Sequence, residues 1–343
     1  MLARILVVLA LIAAPANAET LDALYQKAKG EGALGLYGAG PVANYENTVR
    51  EFEKQFPGVK VAITGGFSNV LNGKIEEQAQ AKKFETDLAI FQTVQDFVHW
   101  KGRGLLLAFK PEGFAAVAAP YKDKDGAWLA VSVSPLFYAY NTEQVGAAQV
   151  PRSALDFLKP EFRGKLVTAY PADDDATLYL FDMLVRKYGW GFMDKYMALE
   201  PRFIQGHLGV ARSIASGESL VSFDATMSTT SGLKRQGAKI ATTPSALDPT
   251  PVFFVTAGIF KGAPHPNAAK LYLSWLLSKE VQARTGFYSP RTDVAAPAGF
   301  PPLASLKLAN RYRQFVTNDK LIADLRQRFE TYTGPVKNAG GVR

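Results

Sequence analysis

The stretch ALGLYGAGPVANYENTVREFEKQFPGVKVAITGG, Ala33–Gly66, carries the reading of the fold. Ala33–Tyr37 is a short apolar run of the kind that forms a buried strand. Gly38, Ala39, Gly40 and Pro41 break it. From Val42 to Phe56 the period changes, because Val42, Tyr45, Val49, Phe52 and Phe56 fall on one helical face. Pro57-Gly58 stops that helix, and Val59–Ile63 is a second strand. Gly65-Gly66 opens a turn, Ser68 is the expected N-cap, and Val70–Lys83 is a helix leading to a third strand at Asp87–Phe91. The order β-α-β-α-β belongs to a doubly wound, mainly parallel sheet, so the fold class is α/β.

The same rhythm returns further along. Lys165–Ala169 reads as a strand, 175–188 and Leu208–Ala215 as helices, Leu220–Asp224 as a strand, Ser228–Gln236 as a helix and Lys239–Thr242 as a strand. Between the two runs lies Trp128–Asn141, long, apolar and aromatic, with Pro135 inside it. A similar segment, Pro251–Phe260, follows the second run. Two extended crossings between two α/β units predict two lobes, discontinuous in sequence and joined by strand hinges. Helices are expected at 21–29, Asn267–Leu277, 303–315 and 318–332.

The chain has 343 residues, ordinary globular composition, no cysteine and a net charge of +8. The missing thiols exclude disulfides, cysteine nucleophiles and Cys-ligated metal sites. Eight basic side chains against three acidic ones lie beyond residue 306, so the basicity belongs mainly to the C-terminal helices. It therefore does not predict an anionic ligand. No element interleaves basic and aromatic residues, which argues against a nucleic-acid partner. Met1–Ala18 has a positive start at Arg4, an apolar run over Ile5–Ala14 and a small-x-small end at Ala16-Asn17-Ala18. That is an export signal cut after Ala18, too short to span a bilayer, so a periplasmic location is expected.

Motifs for chemistry are few. His99, His207 and His265 belong to no metal-binding pair. His99 reads as structural, His265 as a helix cap, and His207, in a loop after Gly206, stays open. The residues Gly30–Gly35 match a dinucleotide fingerprint, but they follow a helix and lead into a strand, the reverse of its context. No GxSxG elbow and no P-loop occur, so an exported hydrolase lacks support and no enzymatic activity is expected. Asp173-Asp174-Asp175 opens a helix beyond a strand end, where one carboxylate suffices as a cap. Ligands of open α/β sheets bind at such carboxyl ends. Asp224 also ends a strand and leads into Ala225-Thr226-Met227-Ser228-Thr229-Thr230. On the first unit the matching turns are Gly38-Ala39-Gly40, Gly65-Gly66-Phe67-Ser68-Asn69 and Gln92-Thr93. Their free N–H groups suit anions, whereas the carboxylates of the second unit suit cations.

Phe52–Val61 (FEKQFPGVKV), Leu136–Thr142 (LFYAYNT) and His265–Gln282 (HPNAAKLYLSWLLSKEVQ) followed by Ser289–Val294 (SPRTDV) carry a resemblance. Together they resemble the periplasmic solute-binding proteins of ABC importers, in the ferric-iron-type branch of the type II binding proteins, over nearly the whole chain after the signal. The resemblance implies a two-lobed periplasmic-binding-protein type II fold, each lobe a mainly parallel sheet flanked by helices and joined by strand hinges. It implies lobe one at 19–134 plus 252–295 and lobe two at 135–251 plus 296–343. It implies hinge closure over a small molecule or ion, delivery to an ABC permease in the inner membrane, a monomer and no cofactor.

Iron-binding members of that branch resemble one another in two adjacent tyrosines after the strand equivalent to 220–224. This chain has Asp224-Ala225-Thr226-Met227 there, without tyrosine. A carboxylate site for a metal, through Asp174 and Asp224, is the alternative, since hard cations accept oxygen ligands. A receptor-partner sensor is another. The candidate ligand-binding residues are Ala39, Gly40, Phe67, Ser68, Asn69, Thr93, Ser134, Tyr138, Asp173, Asp174, Asp175, Asp224, Thr226 and Met227.

Overall fold

The computed structural model describes residues 19–337, and the expected export signal lies outside them. In chain order the first unit contains α1 (Leu21–Glu31), β1 (Ala33–Ala39), α2 (Glu46–Gln55), β2 (Lys60–Gly66), α3 (Ser68–Gln80), β3 (Leu88–Phe91) and α4 (Val94–Gly102). The strands β2, β1 and β3 lie side by side and parallel. Parallel neighbours need crossover connections, which α2 and α3 supply, as the alternating pattern predicts. Helix α2 buries Val49 and Phe52, and the Phe52 ring packs edge-on against Tyr272 and Trp275. Val42 lies in a separate 3-10 turn, so the expected long helix begins later, at Glu46.

Strand β4 (Leu129–Asn141) is continuous through Pro135. Its first part pairs antiparallel with β9 (Thr250–Ile259), from Leu129↔Ala257 to Pro135↔Val252. Its second part pairs antiparallel with β7 (Val221–Thr226) and β8 (Ile240–Thr243). Strand β9 in turn pairs antiparallel with β3. The two expected crossings therefore form the middle of one mixed sheet that runs from the first unit into the second.

The second unit adds β5 (Val167–Ala169), α5 (Asp175–Tyr188), α6 (Gly191–Met197), β6 (Arg202–Ile204), α7 (His207–Ala215) and α8 (Met227–Arg235). Strand β6 was not expected; it pairs parallel with β5 as a separate two-stranded sheet. Helix α9 (Pro266–Leu277) packs on α1 and is followed by α10 (Lys279–Arg284). The helix expected over 303–315 is absent. A 3-10 turn at Leu303–Ser305, the short strand β10 (Leu308–Ala309) and α11 (Tyr312–Val316) replace it. Pairing with the start of β9 holds this segment extended, so tertiary contact overrides local spacing. Helix α12 (Asp319–Thr333) then buries Ile322, Leu325 and Phe329. Among the described residues no helix is long and apolar enough to cross a membrane.

Candidate functional site

The parallel register of β1 and β2 brings their carboxyl ends together at Gly38↔Gly65 and Ala39↔Gly66. The Gly40 N–H donates to the Gly66 carbonyl at 2.8 Å, and Gly40 has φ +95°, a conformation glycine adopts without strain. A Cβ on Gly65 would lie 2.7 Å from the Gly40 carbonyl oxygen, so only glycine fits this approach. The Ala39 carbonyl accepts the Tyr45 hydroxyl at 2.8 Å. Beyond these turns Phe67 stands 79% exposed. Ser68 is the first residue of α3 rather than its cap; Phe67 occupies the cap position without a side-chain hydrogen bond. Ser68 is only 6% exposed, and its hydroxyl has no partner among the described residues. Asn69 is exposed.

At the end of β3, Thr93 Oγ1 donates to Asp96 Oδ2 at 2.5 Å, and Asn72 Nδ2 donates to Asp96 Oδ1 at 2.9 Å. Burial pushes the Asp96 carboxyl up to about 6, with the nearby Asp175 and Glu76 charges adding to it and the Thr93 hydroxyl opposing it. Thr93 thus positions Asp96.

Across from this wall lies the acidic run. Asp174 Oδ1 accepts the Ala176 and Thr177 N–H groups at 2.9 Å each and so caps α5. Asp173 is exposed. Asp175 joins the two units: Gln95 Nε2 on α4 donates to its Oδ2 at 2.9 Å, and Arg326 Nη2 on α12 donates to its Oδ1 at 2.6 Å. The Gln95–Asp175 hydrogen bond thus brings the segment after β3 next to the segment after β5.

His207 proves central. Its Nε2 lies 2.9 Å from Asp224 Oδ1 and its Nδ1 lies 3.6 Å from Asp174 Oδ2, with the side chain 11% exposed. Its ring stacks on Phe253 of β9, and Ser134 pairs with Phe253 across β4–β9. Burial by itself would lower the imidazole pKa. The Asp224 and Asp174 charges outweigh it and raise the group to about 9. Asp224 is 0% exposed, and its Oδ2 accepts Thr177 Oγ1 at 2.8 Å, the Ala169 N–H at 3.1 Å and Thr168 Oγ1 at 3.2 Å.

The structure corrects five expectations. Asp224 is not a cleft ligand, because its oxygens are occupied by His207, two threonines and a backbone amide. The proposed metal pair Asp174 and Asp224 fails for the same reason: His207 already stands between them as a counter-charge. Tyr138 is buried and donates to Asp248 Oδ2 at 2.9 Å, away from the cleft. Met227 is packed in the core, and Thr226 caps α8 by accepting the Thr229 N–H. His265 does not cap α9 with its ring. Glu31 accepts the Asn267 and Ala268 N–H groups, and His265 Nδ1 meets Asp87 Oδ2 at 3.0 Å. The Gly30–Gly35 match is split between α1 and β1 with Gly32 as the helix C-cap, as its reversed context implied. Ala39, Gly40, Phe67, Ser68, Asn69 and Thr93 lie at the strand-to-helix turns of the first unit; Asp173, Asp174 and Asp175 lie at the start of α5, and Ser134 lies on the crossing strand β4. Asn72, Gln95, Asp96 and Arg326 escaped the sequence reading. The spacing Thr93-x-x-Asp96 after a strand was the one local signal for them.

The His207 pKa has a consequence for stability. A group with a folded pKa near 9 and an unfolded value near 6.5 contributes stability that is full below about pH 6.5 and is lost as pH rises through about 9. Thermal melts from pH 6 to 10 are expected to fall more steeply near pH 9 for the wild type than for His207→Gln. Parallel curves would remove the buried imidazolium.

A family model described as "Bacterial extracellular solute-binding protein" matches residues 86–311. A "Fe(3+)-binding periplasmic protein" of Serratia marcescens is 23% identical over 181 residues, 51% of this chain and 53% of that protein. A "Probable ABC transporter periplasmic-binding protein y4fP" of Sinorhizobium fredii is 24% identical over 234 residues, 65% of this chain and 62% of that protein. The chain thus spans between half and two thirds of the length of these curated relatives. The solved structure of iron-bound HitA from Pseudomonas aeruginosa superposes with a TM-score of 0.71 at 18% identity, covering 87% of this chain and 99% of that one. At such identity the likeness shows the fold alone.

Proposed function

Because the chain belongs to the bacterial extracellular solute-binding protein family, we propose that it captures a small solute in the cleft between two lobes and delivers it to an ABC permease. The observation that carries this reading is the pair of crossing strands. β4 and β9 pair with each other and then separate into the two units, so bending there moves one cleft wall against the other. In this reading lobe one is 19–134 plus 252–295 and lobe two is 135–251 plus 296–343. The Gln95–Asp175 hydrogen bond is then a contact between lobes that closure tightens.

The working form is a periplasmic monomer released by cleavage after Ala18. In this reading solute binding is its chemistry, and His207 serves as the counter-charge of Asp174 and Asp224. The ferric ion named for some relatives has no tyrosine pair to meet it here, since Thr226 and Met227 stand in that place and are buried.

A thermal-shift screen finds the solute, because a ligand that binds only the folded state at a hundredfold excess over Kd adds about 2.7 kcal/mol of stability. Small-angle scattering then tests closure. The radius of gyration is expected to fall when the solute found in the screen is added. Unchanged dimensions at saturation would overturn the hinge.

A further inference from the structure

We propose that the cleft takes a small organic cation carrying N–H donors, a primary ammonium or a guanidinium, held between the Asn72–Gln95–Asp96 wall and the Asp173–Asp175 wall. This rests on the solute-capture reading and names the class of solute.

The charge balance is the first support. Asp96 lies near Asp175, Asp224 shares His207 with Asp174, and Asp173 directly precedes the helix-start aspartates Asp174 and Asp175. Among the described residues their ion pairs involve His207, with Asp174 and Asp224, and Arg326, with Asp175. Five carboxylates therefore stand against two cations.

The second support is that the second wall has used part of its anion-binding groups. Asp174 accepts two of the first N–H groups of α5, and Thr226 accepts one at the start of α8. A helix N-terminus attracts an anion only while its N–H groups are unpaired.

The third support is independent of charge. Three buried polar atoms on the first wall have no hydrogen-bond partner among the described residues: the Ser68 hydroxyl and the amide oxygens Asn72 Oδ1 and Gln95 Oε1. Ser68 sits at the start of α3, the end that follows the carboxyl edge of β2, and Asn72 lies one turn on and binds Asp96. Gln95 reaches across to Asp175. Amide carbonyls only accept hydrogen bonds, and a buried acceptor left unpaired is costly. A ligand that donates several N–H bonds satisfies these atoms and the carboxylates together. The exposed Phe67 ring offers a face to the cationic group or the alkyl part beside it. A bare metal ion fits less well, because among the described residues no three His, Asp or Glu side chains are grouped to hold one.

Cation binding also predicts a proton count. Asp96 faces Thr93 and His99 on its own element and just before it, Asn72 and Glu76 on α3, and Asp175 on α5. A cation beside it favours the ionised form, so binding near pH 6 releases protons.

The experiment is calorimetric titration at pH 6 in two buffers of different ionisation enthalpy. The probes are 1,4-diaminobutane and agmatine, with tetramethylammonium as a cation without N–H donors. Citrate, glycerol 3-phosphate and ferric citrate form the counter-panel. At least one of the two amines is expected to bind with proton release. Tetramethylammonium is expected to bind more weakly by about tenfold or more, and so are the amines to Asp96→Asn and to Asp173→Asn. Asp173 is exposed, so its variant keeps the fold, and an unchanged melting temperature verifies that. Silence from both amines overturns the proposal. If a counter-panel member binds instead and shrinks the molecule in scattering, solute capture stands and the cation class falls. If no probe binds or changes the scattering, both fall.

Discussion

His207→Gln is expected to cost about 3–5 kcal/mol of stability, the range for removing one member of a buried ion pair. The reason is what it leaves behind. Asp224 is 0% exposed and its carboxyl is held below the usual carboxylate range: burial alone would raise it, and the His207 charge and hydrogen bond, Thr177 and the Ala169 N–H overcome that. Without the imidazolium, the hydroxyl of Thr177 and the Ala169 amide remain but no opposite charge does. Glutamine can replace a hydrogen bond but not the charge. For a chain of this size the melting temperature should fall on the order of 10 °C. Asp224→Asn separates the charge from the packing. It should also destabilise, but the double variant should be less unstable than the sum of the two, because each residue mainly compensates the other. Urea titration of the four proteins measures this. Strict additivity, or a loss under about 1 kcal/mol for His207→Gln, would show that the pair does not hold the second α/β unit together.

Asp248→Ala is expected to lose about 3 kcal/mol, for a different geometrical reason. Asp248 lies between β8 and β9 and gathers donors from four places: Tyr138 Oη at 2.9 Å, the Ala154 N–H at 2.6 Å, Lys187 Nζ at 2.5 Å and Tyr188 Oη at 2.5 Å. These tie β4, the 3-10 turn after Ser153 and the end of α5 to the approach to β9. Lys187 is 38% exposed, so solvent screens its share. Most of the loss comes from the buried Tyr138 hydroxyl and the Ala154 amide, which would be left without a partner. A cavity of about 20 Å³ already adjoins Tyr138 and Asp248. A space of that size admits one water molecule, which softens the loss but does not replace four bonds. Tyr138→Phe removes a single donor and should cost about 1 kcal/mol. A loss for Asp248→Ala no greater than that of Tyr138→Phe would contradict the clamp. Because Tyr138 sits on a crossing strand, the same variants would also be expected to broaden the scattering envelope in the absence of solute.

The fold was largely legible because its signals are local. Pro57-Gly58 ends α2, Gly32 ends α1 in the left-handed conformation, and the apolar face of α2 recurs every three to four residues. The two crossing strands were legible too, as long apolar runs without helical spacing. The exceptions are instructive. The segment 303–315 has helical spacing, but pairing of Leu308–Ala309 with Thr250–Pro251 holds its centre extended. Ser68 precedes a helix and looks like a cap, yet the helix starts on it, because the turn through Gly65-Gly66 delivers Phe67 to the cap position.

The position of the candidate residues was legible, and their contacts much less so. The strand-end loops fall together because the carboxyl ends of parallel strands lie on one edge. The three consecutive aspartates looked equivalent in sequence but have three different fates. Asp173 faces solvent, Asp174 caps α5, and Asp175 bridges Gln95 and Arg326. Their partners come from 80 and 151 residues away in the chain, on elements whose approach no local pattern encodes.

By itself, then, the sequence determined the α/β alternation, the shared crossings, the family resemblance and the absence of tyrosine after β7. Those rest on backbone hydrogen bonding and on side-chain periods of two and 3.6 residues, which act over a few positions. Tertiary structure alone decided which carboxylates are paired with an opposite charge. Asp224 looked available and is neutralised by His207; Asp96 was not noticed and stands beside unpaired acceptors. Availability of a charge depends on burial and on the nearest opposite charge, and both are set by which distant segments the fold brings within about 4–6 Å.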